Sequence, residues 1–212
     1  MKVNPFIFIE FTTLIFSITI HEASHALVAY LCGDPTAKNL GRITINPIPH
    51  IDPIGTILIP VALMLFNPGF ALIGWGKPCP VNPLNYNNRE RDDIFVSLAG
   101  PLSNFLAALA SVLLLKVLIM MGIHSTGVFA LFKSLMSINI ILIVFNLIPI
   151  PPLDGSHALR QLLPERQKEI FNILDRWGIL LLLIFINTPL FGLFYRIFAT
   201  PLMRLFNYII FL

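Results

Sequence analysis

The stretch FIFIEFTTLIFSITIHEASHALVAYL, residues 6–31, is mostly apolar and contains no lysine or arginine. About 20 such residues in a helix cross the hydrocarbon core of a bilayer, so we predict a membrane-spanning helix here. An ionisable side chain at the centre of such a helix costs on the order of 2.5–3.5 kcal/mol. The presence of His21, Glu22 and His25 in this helix therefore indicates a functional site.

The composition of the whole chain also indicates a membrane protein. Of its 212 residues, 56% are hydrophobic and 12% are charged, whereas soluble domains carry roughly 25% charged residues. The net charge of +3 comes from scattered basic residues and not from a basic stripe, so we expect no nucleic-acid partner. The length predicts a single membrane domain over residues 1–212, without a separate soluble domain of ordinary size.

Two further segments are long and apolar enough to span a bilayer, residues 94–121 and 128–148. The second ends at a cluster of prolines, which cannot continue a helix. Residues 177–212 are apolar again but interrupted, and they fit either one crossing plus an interfacial helix or two tilted crossings. The expected fold is an all-α polytopic membrane protein with a core of three transmembrane helices and a C-terminal membrane segment.

Two shorter segments complete the predicted fold. As a helix, residues 54–66 span only about 20 Å, too little for a bilayer core of about 30 Å, and they precede the turn signal Asn67-Pro68-Gly69. We therefore predict a re-entrant segment over residues 54–75. The alternating sequence Arg42-Ile43-Thr44-Ile45 predicts a short β-strand.

His21, Glu22 and His25 form a His-Glu-x-x-His pattern. Residues four apart lie on one helix face, so both imidazoles can bind one Zn²⁺ at about 2.0–2.1 Å from each nitrogen while the glutamate acts on water. A catalytic zinc site usually has three protein ligands, so a third is required.

Several acidic and histidine side chains are candidates for the third ligand. Glu10 lies three turns earlier on the same helix and cannot reach the histidine pair. Asp154 follows an irregular, proline-rich backbone at the end of a membrane helix, and such backbone is tolerated where it lines a wet cavity or is buried in protein. His50 and His157 stay open as groups near the site. The other candidates fit turns or the opposite end of the molecule: Asp34, Asp52 and His124.

The motifs together resemble the site-2 protease family of intramembrane zinc metalloproteases, in a compact prokaryotic form without a PDZ or CBS domain. The matching motifs are His21-Glu22-x-x-His25, Asn46-Pro47-x-x-His50-Ile51-Asp52-Pro53-Ile54-Gly55-Thr56, Gly74-Trp75-Gly76-Lys77-Pro78-x-Pro80-Val81-Asn82-Pro83, Ala99-Gly100-Pro101-x-x-Asn104 and Asn146-x-x-Pro149-x-Pro151-Pro152-Leu153-Asp154-Gly155.

The resemblance implies a catalytic core over about residues 6–156. It further implies that one zinc ion binds His21, His25 and Asp154, that Glu22 is the general base, and that Asn146 lies near the substrate carbonyl. The expected reaction is hydrolysis of peptide bonds within or near the transmembrane segments of membrane proteins, as in regulated intramembrane proteolysis. The partners are then a transmembrane substrate and the lipid bilayer. An unwound substrate segment is expected to pair with the edge of the strand at residues 42–45.

The basic residues predict the orientation in the cell membrane. For Asp154 to meet His21 and His25, both helix ends must lie on one side, which a re-entrant segment at residues 54–75 allows. The positive-inside rule makes that side cytoplasmic. It carries Lys38, Arg42, Lys77, Arg89, Arg91, Arg160, Arg166, Lys168 and Arg176, and the other side carries Lys2, Lys116 and Lys133.

Two other functions fit parts of the pattern. Intramembrane His and Asp residues also mark ion pathways, so a zinc-binding transporter is an alternative, although transporters usually show repeated halves and none is visible. A non-catalytic protein that binds membrane peptides is the other alternative. Such a protein is expected to have lost Glu22 or a ligand, and all are present.

Overall fold

The computed structural model describes residues 6–66 and 74–211. The described residues form α-helices joined by turns and loops and contain no β-strand. The helices are α1 (Phe6–Leu31), α2 (Thr36–Asn39), α3 (Ile59–Phe66), α4 (Arg89–Met120), α5 (Thr126–Asn146), α6 (Asp154–Leu162), α7 (Glu165–Ile186) and α8 (Pro189–Phe211).

Helices α1, α4 and α5 are long and apolar enough to cross a membrane. The prediction of three such helices is confirmed. Helix α4 is central and packs against α1, α5, α6 and α8. His25 of α1 contacts Val96 near the start of α4, and Ser17 contacts Asn104 further along, so α1 and α4 run antiparallel.

Helix α4 begins at Arg89, five residues before the apolar segment that predicted it. The Asn88 side chain accepts a hydrogen bond from the amide of Arg91, and the Asp92 carboxylate accepts one from the amide of Asn88. These reciprocal caps satisfy backbone donors that the first helical turn leaves free. A charged first turn is thus helical because of its capping, which a hydropathy pattern does not detect.

The predicted strand at residues 42–45 is wrong. Arg42 is 4% exposed while Ile45 is 79% exposed, the reverse of an apolar strand face packed on a core. Local hydrogen bonds curl the chain instead: Thr44 Oγ1 accepts from the amide of Asn46, and the Asn46 side chain accepts from the amide of Ile48. Such side-chain-to-backbone bonds compete with strand pairing.

The segment predicted to be re-entrant begins with a π-helical turn at Pro53–Leu58, which continues into α3. The predicted turn at residues 67–69 lies outside the described residues. The two ends of the segment meet: the amide of Trp75 donates to the carbonyl of Gly55 at 3.2 Å, and Thr56 Oγ1 donates to the carbonyl of Trp75 at 2.7 Å. The segment therefore starts and ends at the same place in the fold.

The C-terminal residues form a bent pair of apolar helices, α7 and α8, whose axes differ by 84°. Helix α8 packs on α4 and α5 through a buried cluster of Ala108, Val112, Leu115, Met136, Ile140, Ala199, Phe206 and Ile210. Helix α7 packs mainly against α6 and α8 and leaves most of its apolar side chains exposed. This arrangement places α8 in the bundle and α7 at its edge.

Candidate metal centre

Three side chains come together at one end of the bundle: His21, His25 and Asp154. The positive-inside rule predicts that this end is cytoplasmic. The two histidines lie one turn apart on α1, with ring centroids 4.7 Å apart, and Asp154 is the first residue of α6. The Nε2 atoms of His21 and His25 are 3.1 Å apart. Asp154 Oδ2 lies 3.2 Å from the first and 3.4 Å from the second.

This geometry fits a zinc ion. Ligand atoms at about 2.0–2.1 Å from a tetrahedral zinc lie about 3.3 Å from one another, close to the separations in this cluster. Both histidines are buried, and Asp154 Oδ2 is a buried oxygen without a hydrogen-bond partner in the described part of the chain. Two nitrogens and one carboxylate oxygen are the ligand set of a catalytic zinc site that keeps a position open.

The hydrogen bonds of the two imidazoles fix which nitrogen faces the cluster. Nδ1 of His25 lies 2.7 Å from the carbonyl oxygen of Val96, and Nδ1 of His21 contacts Oδ1 of Asn104. Both partners are acceptors, so each Nδ1 carries the proton and each Nε2 presents a lone pair. Three acceptor atoms then converge at a distance where they repel one another, and a cation relieves this repulsion.

Asn104 is held in place by a buried polar network across α1, α4 and α5. Its Nδ2 donates to Oδ1 of Asn139 at 2.6 Å and to the carbonyl of Ser17 at 3.3 Å. Nδ2 of Asn139 donates in turn to Ser17 Oγ at 2.9 Å. These bonds use the side-chain nitrogen of Asn104, so its Oδ1 is left to accept from His21. Asn104 therefore joins three helices and also contacts one of the proposed ligands.

Gly100 explains how α4 approaches the two imidazoles so closely. A Cβ atom at this position would lie 2.4 Å from Cε1 of His21 and 2.4 Å from Nε2 of His25. No side chain fits there unless the histidines move. The motif Ala99-Gly100-Pro101-x-x-Asn104 therefore supplies both the space for the cluster and the acceptor for His21.

Glu22 lies beside the cluster and not in it. Its side chain is 13% exposed, and Oε2 is 4.0 Å from Nη2 of Arg42. The carboxylate follows the first histidine directly in α1 and faces the loop that contains Arg42.

The remaining predicted site residues have other surroundings. The Asn146 side chain donates to the carbonyl of Leu142 within α5 at 3.0 Å, and no described contact joins it to the cluster. His157 is exposed on a polar surface cavity. His50 is buried, and its Nε2 lies 3.0 Å from the carbonyl of Thr44. Burial lowers the pKa of His50.

Asp34 has a structural role, as its turn position suggested. It is fully buried and accepts hydrogen bonds from Thr36, from the amide of Asn82 and from Nδ2 of Asn85. Burial opposes its ionisation, but these hydrogen bonds outweigh that effect and hold the pKa of the carboxyl below its ordinary value.

Sequence reasoning missed the contributions of Ser17, Asn139 and Arg42 to the surroundings of the site. Asn139 had a detectable signal, since an amide in the middle of an apolar helix needs a partner from another helix. Arg42 had none, because its alternating neighbours favoured a strand.

Comparisons with known proteins find related sequences. The model of "Peptidase family M50" matches residues 118–185, which include Asp154. The Bacillus subtilis (strain 168) protein named "Putative zinc metalloprotease YwhC" is 40% identical over 183 residues, covering 84% of this chain and 80% of that protein.

Two mycobacterial relatives, each named "Putative zinc metalloprotease Rip2", are more distant. The protein of Mycolicibacterium smegmatis (strain ATCC 700084 / mc(2)155) is 32% identical over 176 residues, covering 82% of this chain and 64% of that protein. The protein of Mycobacterium tuberculosis (strain ATCC 25618 / H37Rv) is 31% identical over 183 residues, covering 85% and 68%. No solved structure gives a significant match. With the relatives aligned over most of its length, the chain belongs to peptidase family M50, the site-2 protease family, and is a zinc metalloprotease.

Proposed function

We propose that this protein hydrolyses peptide bonds within or near the transmembrane segments of membrane proteins. The observation that carries the proposal is the position of the ligand cluster between apolar helices. His21 and His25 are on α1, whose length and hydropathy suit a membrane span, and they pack against the similar helix α4. A protease whose site is reached from within the bilayer suits substrates that are themselves membrane segments.

The site lies toward the cytoplasmic face of the cell membrane in this proposal. His25 is six residues before the end of α1, so it lies about 9 Å along the helix from that end. The basic residues of the loops and helix ends on this side support the orientation. A site at this depth is reached by water from the cytoplasm and by a substrate from the bilayer.

The cluster and the residues around it would divide the chemistry among them. His21, His25 and Asp154 would hold one zinc ion, which when bound polarises a carbonyl group and lowers the pKa of water toward neutrality. Glu22 accepts the proton of the attacking water and returns it to the leaving nitrogen. Asn104 and the Val96 carbonyl keep the imidazoles in the tautomer that binds metal. Asn146 is proposed to lie near the substrate carbonyl.

The substrate must unwind locally before cleavage. In a transmembrane helix each amide is bonded to the carbonyl four residues earlier, and the helix wall blocks the approach to the carbonyl carbon. A segment that is already weakly helical is therefore the preferred substrate, and one rich in helix-forming residues is a poor one.

Glu22→Gln tests the proposal directly. We expect the variant to retain one zinc ion per chain and to lose cleavage of a single-span substrate in liposomes, because the amide cannot accept the proton. Zinc is measured by elemental analysis and cleavage by electrophoresis. Asp154→Ala should lose both the metal and cleavage.

The same experiment separates the alternatives. A transporter would move zinc across the liposome membrane without cleaving the peptide, and a non-catalytic binder would retain the peptide intact. Undiminished cleavage by Glu22→Gln would contradict the assigned role of Glu22. Arg166→Gln is a suitable control because Arg166 is exposed on α7.

A further inference from the structure

A buried arginine, Arg42, lies beside the proposed catalytic base. Arg42 is 4% exposed, and its Nη2 atom is 4.0 Å from Oε2 of Glu22. The same Nη2 donates to the carbonyl of Lys77. The guanidinium thus faces the carboxylate across a gap longer than a hydrogen bond, in a place from which bulk water is largely excluded.

One donor of this guanidinium has no acceptor in the described part of the chain. Nε of Arg42 is buried and lacks a hydrogen-bond partner. A charged donor that is buried without an acceptor is costly, and a folded protein rarely retains one unless it has a function.

Two loop segments hold the arginine in place. The backbone amide of Arg42 donates to the carbonyl of Ala37 at 2.9 Å, and the amide of Lys77 donates to the carbonyl of His50 at 2.8 Å. Gly76 lies close to α1, since a Cβ atom there would lie 2.5 Å from Cγ2 of Ile18 and 3.5 Å from Cγ of Glu22. The guanidinium is therefore fixed before substrate binds, which is the condition for strong electrostatic stabilisation.

We propose that Arg42 is a further catalytic residue whose guanidinium, on the Nη2 side that faces Glu22, stabilises the carbonyl oxygen of the peptide bond being cleaved. The inference rests on the proposed role of Glu22 as the base. Nη2 of Arg42 lies 4.0 Å from Oε2 of Glu22, so we place the oxygen of a carbonyl group attacked by the water that Glu22 activates beside the guanidinium.

The charge balance of the reaction explains the need for a cation here. As the water oxygen bonds to the carbonyl carbon, its proton goes to Glu22 and the π electrons go to the carbonyl oxygen. Negative charge moves from Glu22 to the substrate, and Arg42 lies beside both. When the C–N bond breaks, the C=O bond forms again, and the nitrogen keeps the bonding pair and takes the proton from Glu22.

The test compares Arg42→Gln, Arg42→Lys and the control Arg166→Gln with the unchanged protein. For Arg42→Gln we expect kcat to fall by about 10²–10³, as for the loss of other donors to an oxyanion, with little change in KM. Zinc content should stay unchanged. Arg42→Lys retains the charge without a donor at Nε, so its kcat should fall less, and it carries the test if Arg42→Gln does not fold.

A binding measurement gives a readout without turnover. A peptide phosphinate mimics the charged tetrahedral state, so Arg42→Gln should weaken its binding by about the same factor as kcat. Binding of the uncleaved peptide, measured in the Glu22→Gln background, should not change.

Four results would overturn the proposal for Arg42. The first is a rise in KM alone, and the second is a loss of activity that parallels a loss of zinc. The third is an unchanged affinity for the phosphinate. The fourth is a shift of the acid limb of the pH profile without a loss of kcat at its maximum. The last would make Arg42 a positioning residue for Glu22. If the unchanged protein cleaves nothing, the proposed function fails, while the phosphinate measurement still decides the role of Arg42.

Discussion

Asn104 offers a single side-chain acceptor, Oδ1, and the structure commits it to the Nδ1–H of His21. Removal of such a partner of a metal-binding histidine typically lowers metal affinity by about 10–100-fold. We expect this loss for Asn104→Ala, measured by competition with a chelator. Asn104→Asp retains an acceptor for His21 and should bind zinc more tightly than Asn104→Ala.

Asn207→Ala is the matched control for this prediction. The Asn207 side chain donates to the carbonyl of Met203 within α8, away from the cluster. Its replacement should leave zinc affinity unchanged. Equal affinities of the Asn104→Ala and Asn207→Ala variants would show that the bond to His21 does not tune the site.

A substitution at Gly100 should disturb the site by overcrowding it and not by removing a contact. In Gly100→Ala the new methyl group would overlap both imidazoles, so His21 and His25 must move and the three ligand atoms no longer converge. We expect the variant to bind little zinc after purification, as measured by elemental analysis. Gly192→Ala, where a Cβ atom meets nothing within 4 Å, should bind zinc normally. Normal zinc content in Gly100→Ala would mean that α4 can shift away at little cost.

At the scale of elements, the loop after α1 is joined to the loop before α4 by Asp34. Asp34→Ala leaves the donors on Thr36, Asn82 and Asn85 without this acceptor. Each buried donor left unsatisfied costs about 1–3 kcal/mol, so the free energy of unfolding at pH 7 should fall by several times this amount. The change is measured by denaturant unfolding in detergent. Asp175→Asn breaks a half-exposed ion pair with Arg160 and should cost about 1 kcal/mol or less.

The lowered pKa of Asp34 also predicts a pH dependence. A carboxyl whose pKa is lower in the folded state stabilises the fold above its unfolded pKa, and this contribution is lost as the pH falls through the folded pKa. The stability difference between the unchanged protein and Asp34→Asn should therefore be constant near neutral pH and shrink in acid. A difference that grows on acidification would contradict the assigned ionisation.

The accuracy of sequence reasoning differs between elements for a physical reason. The three long helices follow from local composition, because a bilayer selects apolar runs of fixed length. The spacing of His21 and His25 is equally local. The strand predicted at residues 42–45 is wrong because Arg42 is buried against Lys77 and Glu22. These contacts join residues that are far apart in the sequence. The ligand role of Asp154 was predicted from the family resemblance. No local pattern predicts it, because the turns between α5 and α6 determine where its carboxylate lies.

For the whole molecule, the meeting of Gly55 and Trp75 has a consequence for topology. If α1, α4 and α5 cross the membrane, the loop that contains Lys38 and the loop that contains Lys77 lie on one side, and the α4–α5 turn at His124 lies on the other. Lys38, Lys77 and His124 are all exposed. Labelling of these positions therefore tests the re-entrant segment and the orientation together.

Single cysteines at positions 38, 77 and 124 are introduced after Cys32 and Cys79 are replaced by alanine and serine. In intact cells a membrane-impermeant maleimide should label only His124→Cys, and in inside-out vesicles only Lys38→Cys and Lys77→Cys. The reverse pattern would invert the protein and move the zinc cluster to the outer face. If Lys77→Cys and Lys38→Cys label from opposite sides, residues 54–75 cross the membrane, and Arg42 and Gly76 cannot both lie over Glu22.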